Sequence, residues 1–457
     1  MSRSVIKFVK HRLVIFPALI IFLALNMIPL FSKSQDVKSL TLQESINLSI
    51  KNSHLLKASA ARNDQAAAQL RQAMDNKLPN ASVSGSYLRL ASPNIDIKTD
   101  AFSSGPDTSG TKKSLPKVNQ AMYGIFNVSL PIYAGGKIRY GIKSAEYLQQ
   151  AIELDAKNDK EAVTLNTINA YINLYKAAVT VDVVKENLNQ SKQRDSVLSR
   201  LEQNGLLARN DLLKSELQTS NIELSLLDAQ SNLKTATVNM DLMVGYPEET
   251  ILKTDSSGFD KTISLKTLDE YEQLAMQSRN DIMALSFREK AATNGINIAK
   301  ADQYPSIALT GGYIAADIPH LITITNAVNI GVGFKYNLSS LWKTKAKIAE
   351  AKSYEEEIIA NEAQLSDQVK LQVNRDFENF LISQKKTEVY KKAVLQAEEN
   401  YRITKNKYDN ALVNTTELLD ANVSLLQSKI NLAVAKADVI LAYSKLLETT
   451  GILSGNQ

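Results

Sequence analysis

The stretch NGLLARNDLL, residues 204–213, recurs 206 residues later as NALVNTTELL, residues 410–419. In both copies an asparagine and a small residue, Gly205 or Ala411, interrupt a long helical pattern, and a Leu-Leu pair begins the next one. Glycine in the first copy favours the left-handed backbone conformation that ends many helices. A helix-ending turn repeated at a fixed distance indicates a tandem duplication.

The duplication extends over most of the chain. With a shift of 226 residues, 41–87 lies over 267–313, and with a shift of 206 residues, 131–245 lies over 337–451. Neither block needs a gap, so chance agreement is a poor explanation. We therefore divide the chain into a leader, a first repeat, a linker and a second repeat, with the bounds 1–34, 35–245, 246–266 and 267–457.

The two shifts differ because one polar segment differs in length. The first repeat has 92–119 there, rich in Ser, Gly, Pro and Lys, whereas the second has only about 317–325. Segments that tolerate such insertions are exposed loops. The sequence does not say what role 92–119 has.

Each repeat also carries two segments that alternate between apolar and polar residues. In the clearest one, Val328, Ile330, Val332, Phe334 and Tyr336 alternate with small or polar residues. A period of two predicts β-strands, and soluble hairpins share it with transmembrane barrel strands about ten residues long. We expect strands at about 81–91, 120–131, 306–316 and 326–337.

Long helices follow the strands. Between 137 and 200 the only glycine is Gly141 and there is no proline, and 343–408 contains neither residue. A helix of roughly 64 residues is about 95 Å long, and its narrow apolar seam predicts packing into a coiled wall. We also expect return helices at 211–244 and 416–450, and shorter helices at 56–77 and 282–303 that end before Pro79 and Pro305.

The positive charge of the chain lies at its N-terminus. Lys and Arg number 53 against 48 Asp and Glu, and five of the basic residues and no acidic one fall within 1–34. This basic start, the apolar run 13–31 and the small residues Ser32 and Ser34 predict a secretory signal peptide cleaved near Ser34. A retained membrane anchor is the alternative. The remaining chain is neutral, so we expect no nucleic-acid partner.

No pattern in the sequence indicates an enzyme. There is no cysteine, and His11, His54 and His320 are isolated from one another. Neither a nucleophile elbow nor a phosphate-binding loop occurs. We therefore predict no catalytic, cofactor-binding or metal-binding residues.

An export signal, duplicated halves, amphipathic hairpins and very long helices together resemble the TolC family of outer-membrane efflux and secretion channels. The resemblance covers nearly the whole mature chain and rests on the order and spacing of several segments: 40–46, 78–87, 130–137, 204–213 and 410–421. The second repeat departs from it at 337–343, where the Pro-x-x-x-Gly-Gly pattern of 131–136 is missing. The turn from strand to helix is therefore less defined there.

The resemblance implies a mixed α and transmembrane β fold in which the duplicated strand–strand–long-helix plan closes only in a homotrimer. Three chains of four strands would form a twelve-stranded outer-membrane β-barrel, continued by a periplasmic α-helical tunnel. The implied partners are a periplasmic adaptor (a membrane fusion protein), an inner-membrane pump and outer-membrane lipid. Such a passive conduit serves tripartite efflux or type I secretion, and the sequence does not reveal whether drugs, metals or proteins pass through it. Aromatic residues at the strand–helix junctions would lie at the membrane interface: Tyr133, Tyr304, Tyr336 and Trp342.

The two turns between long and return helices would form the periplasmic tip of the tunnel. By resemblance, small and apolar residues of these turns dock the adaptor: Gly205, Leu206, Leu207, Ala411, Leu412 and Val413. Glu417 and Asp420 match inward-facing carboxylates of the family, and three copies of each would form acidic rings that favour cations. Asp211 and Tyr408 match positions of a contact that holds the tip closed, whereas Val413 stands where the family's gate has an arginine.

Local capping chemistry is also expected at the tip. Asn210 or Asp211 can cap the first return helix, and Thr415 or Thr416 the second, because short polar side chains accept hydrogen bonds from the first free N–H groups.

Two other classes of protein share some of these features. A periplasmic coiled-coil adaptor has a helical hairpin but requires compact β-domains. A structural coiled-coil surface protein explains the long helices but not the paired amphipathic hairpins. Detergent extraction separates the first from a channel, and planar-bilayer conductance separates the second.

Overall fold

The computed structural model of the chain describes residues 37–91, 118–248, 250–255, 263–319 and 322–453. The predicted signal peptide and nearly all of the predicted loop 92–119 lie outside these described residues. The first repeat contains β1 (Val37–Leu40), α1 (Leu42–Asn52), α2 (His54–Asp75), β2 (Asn80–Arg89), β3 (Gln120–Ala134), α3 (Lys137–Gln203) and α4 (Arg209–Val244). The linker contains β4 (Ile251–Thr254), and the second repeat contains α5 (Leu268–Ser278), α6 (Asn280–Ala301), β5 (Ser306–Ile318), β6 (Ile322–Lys335), α7 (Ser340–Asp409) and α8 (Thr415–Thr449).

The two long helices exceed their predicted lengths. α3 has 67 residues and α7 has 70, so each is about 100 Å long at 1.5 Å per residue. α7 begins at Ser340, three residues before the predicted start, because the Ser340 N–H donates a hydrogen bond to the Asn337 carbonyl and forms a turn that leads into the helix. The return helices also begin slightly early, at Arg209 and Thr415.

The shorter helices end earlier than predicted. α2 ends at Asp75 and α6 at Ala301, each four residues before the proline that was expected to terminate it. Proline restricts the residue before it to extended conformations, so the chain uses a turn between the helix and the strand. In the first repeat this turn is closed by the Lys77 N–H on the Met74 carbonyl.

The four longer strands form one antiparallel sheet in the order β2-β3-β5-β6. The register places Val83 beside Phe126, Phe126 beside Tyr313, and Tyr313 beside Val328. These four side chains lie on one face, because side chains alternate between the two faces along each strand. The opposite face carries small and polar residues that include Ser82, Asn127, Gly312 and Asn329.

The hairpin between β5 and β6 is longer than predicted. Ile318 pairs with Ile322 and Asp317 with Thr323, so most of the expected loop 317–325 is strand. The Thr323 hydroxyl donates a 2.6 Å hydrogen bond to Asp317 and reinforces this end. Asn326, with a φ of 60°, accommodates the irregularity of the ladder nearby.

The main core lies at the middle of the long helices. There β1 pairs in parallel with β4, and Tyr171 of α3 packs with Leu40, Met240 and Leu252. The Tyr171 hydroxyl accepts a 2.8 Å hydrogen bond from the Asp255 N–H and lies 2.9 Å from the Leu40 carbonyl oxygen. This core fastens the short strand of the first repeat and that of the linker to the helical wall.

Beyond the core, the helices are paired along their length. α3 packs against α2 and α6 on the side of the sheet, and against α4 and α8 on the other side; α7 packs against α6 and α8. Among the described residues, each helix is either too short or too polar to pass through a lipid bilayer.

Candidate functional site: the tip of the helical hairpins

The tip is formed by two turns with the same backbone. Gly205 ends α3 with a φ of 72°, and Ala411 ends α7 with a φ of 57°. In each turn an N–H bonds back to a carbonyl five residues earlier, Leu206 to Leu201 and Leu412 to Lys407. The positive φ predicted for Gly205 is present, and the second turn adopts it with an alanine.

The caps of the return helices differ from those predicted. α4 begins after Ala208, which forms no side-chain cap, so neither Asn210 nor Asp211 has that role. α8 is capped by Asn414, whose Oδ1 accepts a 3.0 Å hydrogen bond from the Glu417 N–H. Thr415 and Thr416 therefore lie within the helix, because Asn414 already has the extended backbone that a cap requires.

Two leucines project from the end of the structure. The side chains of Leu206 and Leu412 are each 74% exposed, and the adjoining Gly205 and Ala411 are exposed as well. Their neighbours Leu207 and Val413 are half-buried. The tip thus presents a small apolar surface supported by the half-buried pair.

A cavity of about 790 Å³ lies between the two turns. It receives residues from all four helices of the two hairpins, and Asp211 and Tyr408 both line it. The Tyr408 hydroxyl lies 3.4 Å from Thr415 Oγ1, and the Asp211 carboxylate lies 3.7 Å from Lys214 Nζ. Each of the two residues therefore has a partner on its own hairpin, and a direct contact between them stays a prediction.

Arg194 is the tip residue that sequence reasoning missed. It lines the same cavity, and its guanidinium donates to the hydroxyls of Ser191 at 2.5 Å and Ser215 at 3.3 Å. Asp195 accepts hydrogen bonds from Ser215 and Thr219 beside it. The Arg194 guanidinium is partly withdrawn from water, and this burial lowers the pKa of Arg194 below its ordinary value. The charged side chain therefore depends on these polar partners.

The position of Arg194 explains why it was missed. The family pattern predicts the gate arginine at position 413, on the other hairpin, where this chain has Val413. Arg194 instead lies between the buried residues Ser191 and Leu198 of α3. The signal available in the sequence was the spacing of Arg194, three residues after Ser191 and four before Leu198, which places this basic residue on the same side of α3 as both.

Glu417 and Asp420 are both exposed, on the face of α8 opposite the buried Leu418 and Leu419. Their spacing of three residues places the two carboxylates on one side of the helix. The matching side of the first repeat carries Asp211 and Lys214, which form an ion pair. Among the described residues, neither Glu417 nor Asp420 forms an ion pair, so this end of the second return helix carries negative charge.

The expected interface aromatics lie where strands meet helices. Tyr133, Tyr304 and Trp342 are exposed, whereas Tyr336 is half-buried. In the first repeat the junction is a Gly135-Gly136 turn with two positive φ values, where a Cβ on Gly135 would lie 2.5 Å from the Ala301 carbonyl oxygen. In the second repeat polar contacts replace the glycines: Ser340 donates its N–H to the Asn337 carbonyl, and Ser339 its hydroxyl to the Asn337 side chain.

A sequence model described as "Outer membrane efflux protein" matches residues 45–246 and 272–451 of the chain. The chain belongs to this family. The two matched segments overlap the predicted repeats 35–245 and 267–457, whose bounds stay a prediction.

Relatives and solved structures of the family are similar over most of the chain. The outer membrane efflux protein BepC of Brucella suis biovar 1 (strain 1330) is 21% identical over 418 residues, which cover 88% of this chain and 89% of BepC. The outer membrane protein TolC of Salmonella enteritidis is 22% identical over 318 residues, covering 65% of this chain and 62% of that protein. The outer-membrane channel OprN has a TM-score of 0.76 at 17% identity, with coverage of 90% and 89%. VceC from Vibrio cholerae has a TM-score of 0.73 at 20% identity, with coverage of 90% and 96%.

As an outer membrane efflux protein, the chain is an outer-membrane channel of an efflux system. Such proteins provide a path for transport rather than a reaction centre. Among the described residues, no group of three or more His, Cys, Asp or Glu side chains is arranged to hold a metal ion.

Proposed function

We propose that three copies of this chain form a passive conduit through the outer membrane and across the periplasm. The chain would be exported to this location, and its signal peptide would be removed near Ser34. The observation that carries this proposal is the four-stranded sheet. Its β6 exposes four alternate apolar side chains, Val328, Ile330, Val332 and Phe334, by 69–82%. An apolar face of this kind requires lipid or another protein to cover it.

The sheet also has two unpaired edges among the described residues, β2 and β6. Exposed strand edges are not tolerated in lipid, because their N–H and C=O groups have no water to bond. Each strand of the sheet runs antiparallel to its neighbour, so β2 and β6 point in opposite directions. The β2 edge of one chain can therefore pair antiparallel with the β6 edge of the next chain. Three chains would then close a twelve-stranded barrel with a polar interior and an apolar exterior.

The helices would continue the barrel as a periplasmic tunnel closed at the tip. Glu417 and Asp420 would form the acidic rings at its narrow end, and Asp211 and Tyr408 would meet there in the closed state. Arg194 would take the place of the arginine that is missing at Val413, because it lies in the same cavity as Tyr408. Loss of the arginine charge should then favour the open state.

The exposed tip would dock a periplasmic adaptor that connects the channel to an inner-membrane pump. The side chains of Leu206 and Leu412 are each 74% exposed, and an apolar end on a solvated rod favours association. Efflux and type I secretion use the same architecture. Co-purification from membranes would identify the attached pump.

Trimer closure is testable by disulfide cross-linking, because the chain contains no cysteine. Val83→Cys in β2 would be combined in turn with Val328→Cys, Ile330→Cys or Val332→Cys in β6. We expect one of these pairs to give covalent trimers on denaturing gels, since facing strands bring Cβ atoms within disulfide distance. The control pairs Val83→Cys with Leu309→Cys in β5, an interior strand, and should give monomers. Monomers from every β2–β6 pair would overturn the closed trimer.

The gate is tested in planar bilayers. The purified protein should give discrete conductance steps, and Arg194→Gln should increase the open fraction. Tyr408→Phe should do the same if its hydroxyl contacts Asp211 in the closed state. Unchanged closure in both variants would show that these side chains do not hold the tip shut.

A further inference from the structure

We propose that a basic cavity at the junction of the sheet and the helices binds small polyanions, such as molecules that carry a diphosphate group. The cavity measures about 510 Å³ and is separate from the tip. Its position inside the channel rests on the proposed trimer, in which the polar face of the sheet lines the lumen.

Four lysines surround this cavity, and one carboxylate lies among them. Lys137 begins α3, Lys335 ends β6, and Lys343 and Lys347 lie in the first two turns of α7. Asp302, between α6 and β5, is the acidic residue of the lining. The four lysines and one aspartate leave a net charge of +3 in each chain.

Asp302 is already occupied by two of the lysines. Its Oδ1 accepts a 2.8 Å hydrogen bond from Lys137 Nζ, and its Oδ2 accepts a 3.0 Å bond from Lys347 Nζ. Both ion pairs of Asp302 are with Lys137 and Lys347, and no ion pair among the described residues involves Lys335 or Lys343. The uncompensated charge is therefore located on these two side chains.

The cavity opens on the polar face of the sheet. Ala134, Ser306 and Lys335 are direct neighbours across β3, β5 and β6, and all three line the cavity. The adjacent residues Ile307 and Phe334 point to the apolar face. An anion bound here would lie on the side away from lipid, and it could arrive through the barrel without crossing the acidic residues of the tip.

Lysine side chains bind phosphate groups as mobile point charges. A volume of about 510 Å³ is also within the range of small-molecule sites. In a trimer, the three cavities would form a basic girdle, and rings of lysine favour anions in pores. The geometry thus gives the channel a site for anionic cargo at the end opposite its acidic residues.

The test uses the full-length protein purified in detergent and inorganic pyrophosphate as the probe. Calorimetry should detect binding to the wild type, weakening as salt rises, because charge–charge attraction is screened. Lys335→Gln/Lys343→Gln should weaken binding roughly three- to tenfold, since two exposed charges are lost. Asp302→Asn should strengthen binding, because it releases Lys137 and Lys347.

The matched control is Lys391→Gln/Lys392→Gln, which removes the same charge from an exposed stretch of α7. It should bind pyrophosphate like the wild type. In planar bilayers, the cavity variant but not the control should lower the chloride-to-potassium permeability ratio.

Equal pyrophosphate binding by the wild type and the cavity variant, or no binding by the wild type, would overturn the site. If the cavity variant gave conductance steps with the same pyrophosphate binding and the same ion selectivity as the wild type, the proposed channel would be supported and the basic girdle would be rejected. A protein that gives no conductance steps would contradict the proposed channel, and the calorimetry would still decide the site.

Discussion

The side-chain amide of Asn422 in α8 donates a 2.8 Å hydrogen bond to Asn187 Oδ1 in α3. The two residues are only 3% and 5% exposed, and Asn187 Nδ2 has no partner among the described residues. This bond joins the return helix of the second repeat to the long helix of the first. A buried amide pair at such a seam fixes the register of the helices but adds less stability than apolar packing.

Asn422→Leu should lower the free energy of unfolding by about 1–3 kcal/mol, because it leaves the Asn187 amide buried without a partner. The double variant Asn187→Leu/Asn422→Leu should recover most of that loss, because neither buried amide then lacks a partner. It should also reduce tip opening, because separation of α3 and α8 would no longer expose a polar group that water can stabilise. Thermal unfolding and single-channel recordings measure the two effects. Asn221→Leu on the exposed face of α4 is the control and should change stability by less than about 0.5 kcal/mol. If Asn422→Leu were as stable as the wild type, the bond would contribute nothing.

Ala411→Gly should stabilise the tip by roughly 0.5–1 kcal/mol, because alanine has a φ of 57° there and the left-handed conformation is costly for residues with a Cβ. Slower hydrogen exchange of the Leu412 amide, which bonds to the Lys407 carbonyl, is the measurement. Ala360→Gly, the same substitution in the exposed middle of α7, should instead destabilise the helix by about 1 kcal/mol. Faster exchange at Leu412 in Ala411→Gly would contradict the argument from the backbone.

Glu417→Gln/Asp420→Asn should lower the potassium-to-chloride permeability ratio of the channel roughly two- to fivefold, because carboxylate rings set cation preference at a narrow aperture. Reversal potentials in asymmetric salt give the ratio. The control Glu216→Gln/Asp228→Asn removes two exposed acids from α4, the other return helix. An equal change in the control would mean that total charge, and not the position of the acids, governs selectivity.

Stability should fall as pH rises through the range in which Glu161 ionises. Burial, followed by the nearby carboxylates of Glu448 and Asp281, raises the pKa of Glu161 from 4.5 to about 7, and Arg279 partly opposes this. Between these values the folded chain binds a proton that the unfolded chain has lost, so the contribution of Glu161 to stability is greatest below about pH 4.5. The loss on reaching pH 7 and above amounts to at most about 3 kcal/mol.

Glu161→Gln should reduce this pH dependence and raise the unfolding temperature at pH 8 relative to the wild type, while burial also raises the pKa values of Asp241 and Glu448 and keeps their share of the dependence. Unfolding midpoints at pH 5, 6, 7 and 8 test it, with Glu378→Gln, an exposed acid of α7, as the control. A wild-type midpoint that stayed constant across this range would show that Glu161 is ionised throughout.

The sequence by itself determined the features that depend on local periodicity. A period of two gave the strands their apolar face, as in Val328 and Phe334, and long stretches without proline or glycine gave the two long helices. Comparison of the chain with itself gave the duplication and the matching turns at Gly205 and Ala411. The strand and helix patterns can be read because each depends on residues only a few positions apart, and the duplication can be read because the sequence itself is repeated.

Only the tertiary structure decided which distant side chains meet. Asn187 and Asn422 are separated by 235 residues, and their contact depends on the rotation and register of two packed helices, which local periodicity does not specify. The same holds for Arg194 at the tip, for the shifted pKa of Glu161 and for the lysines around Asp302. Burial and pairing of polar groups are properties of the assembled helices, and the sequence fixes them only through the packing of the whole chain.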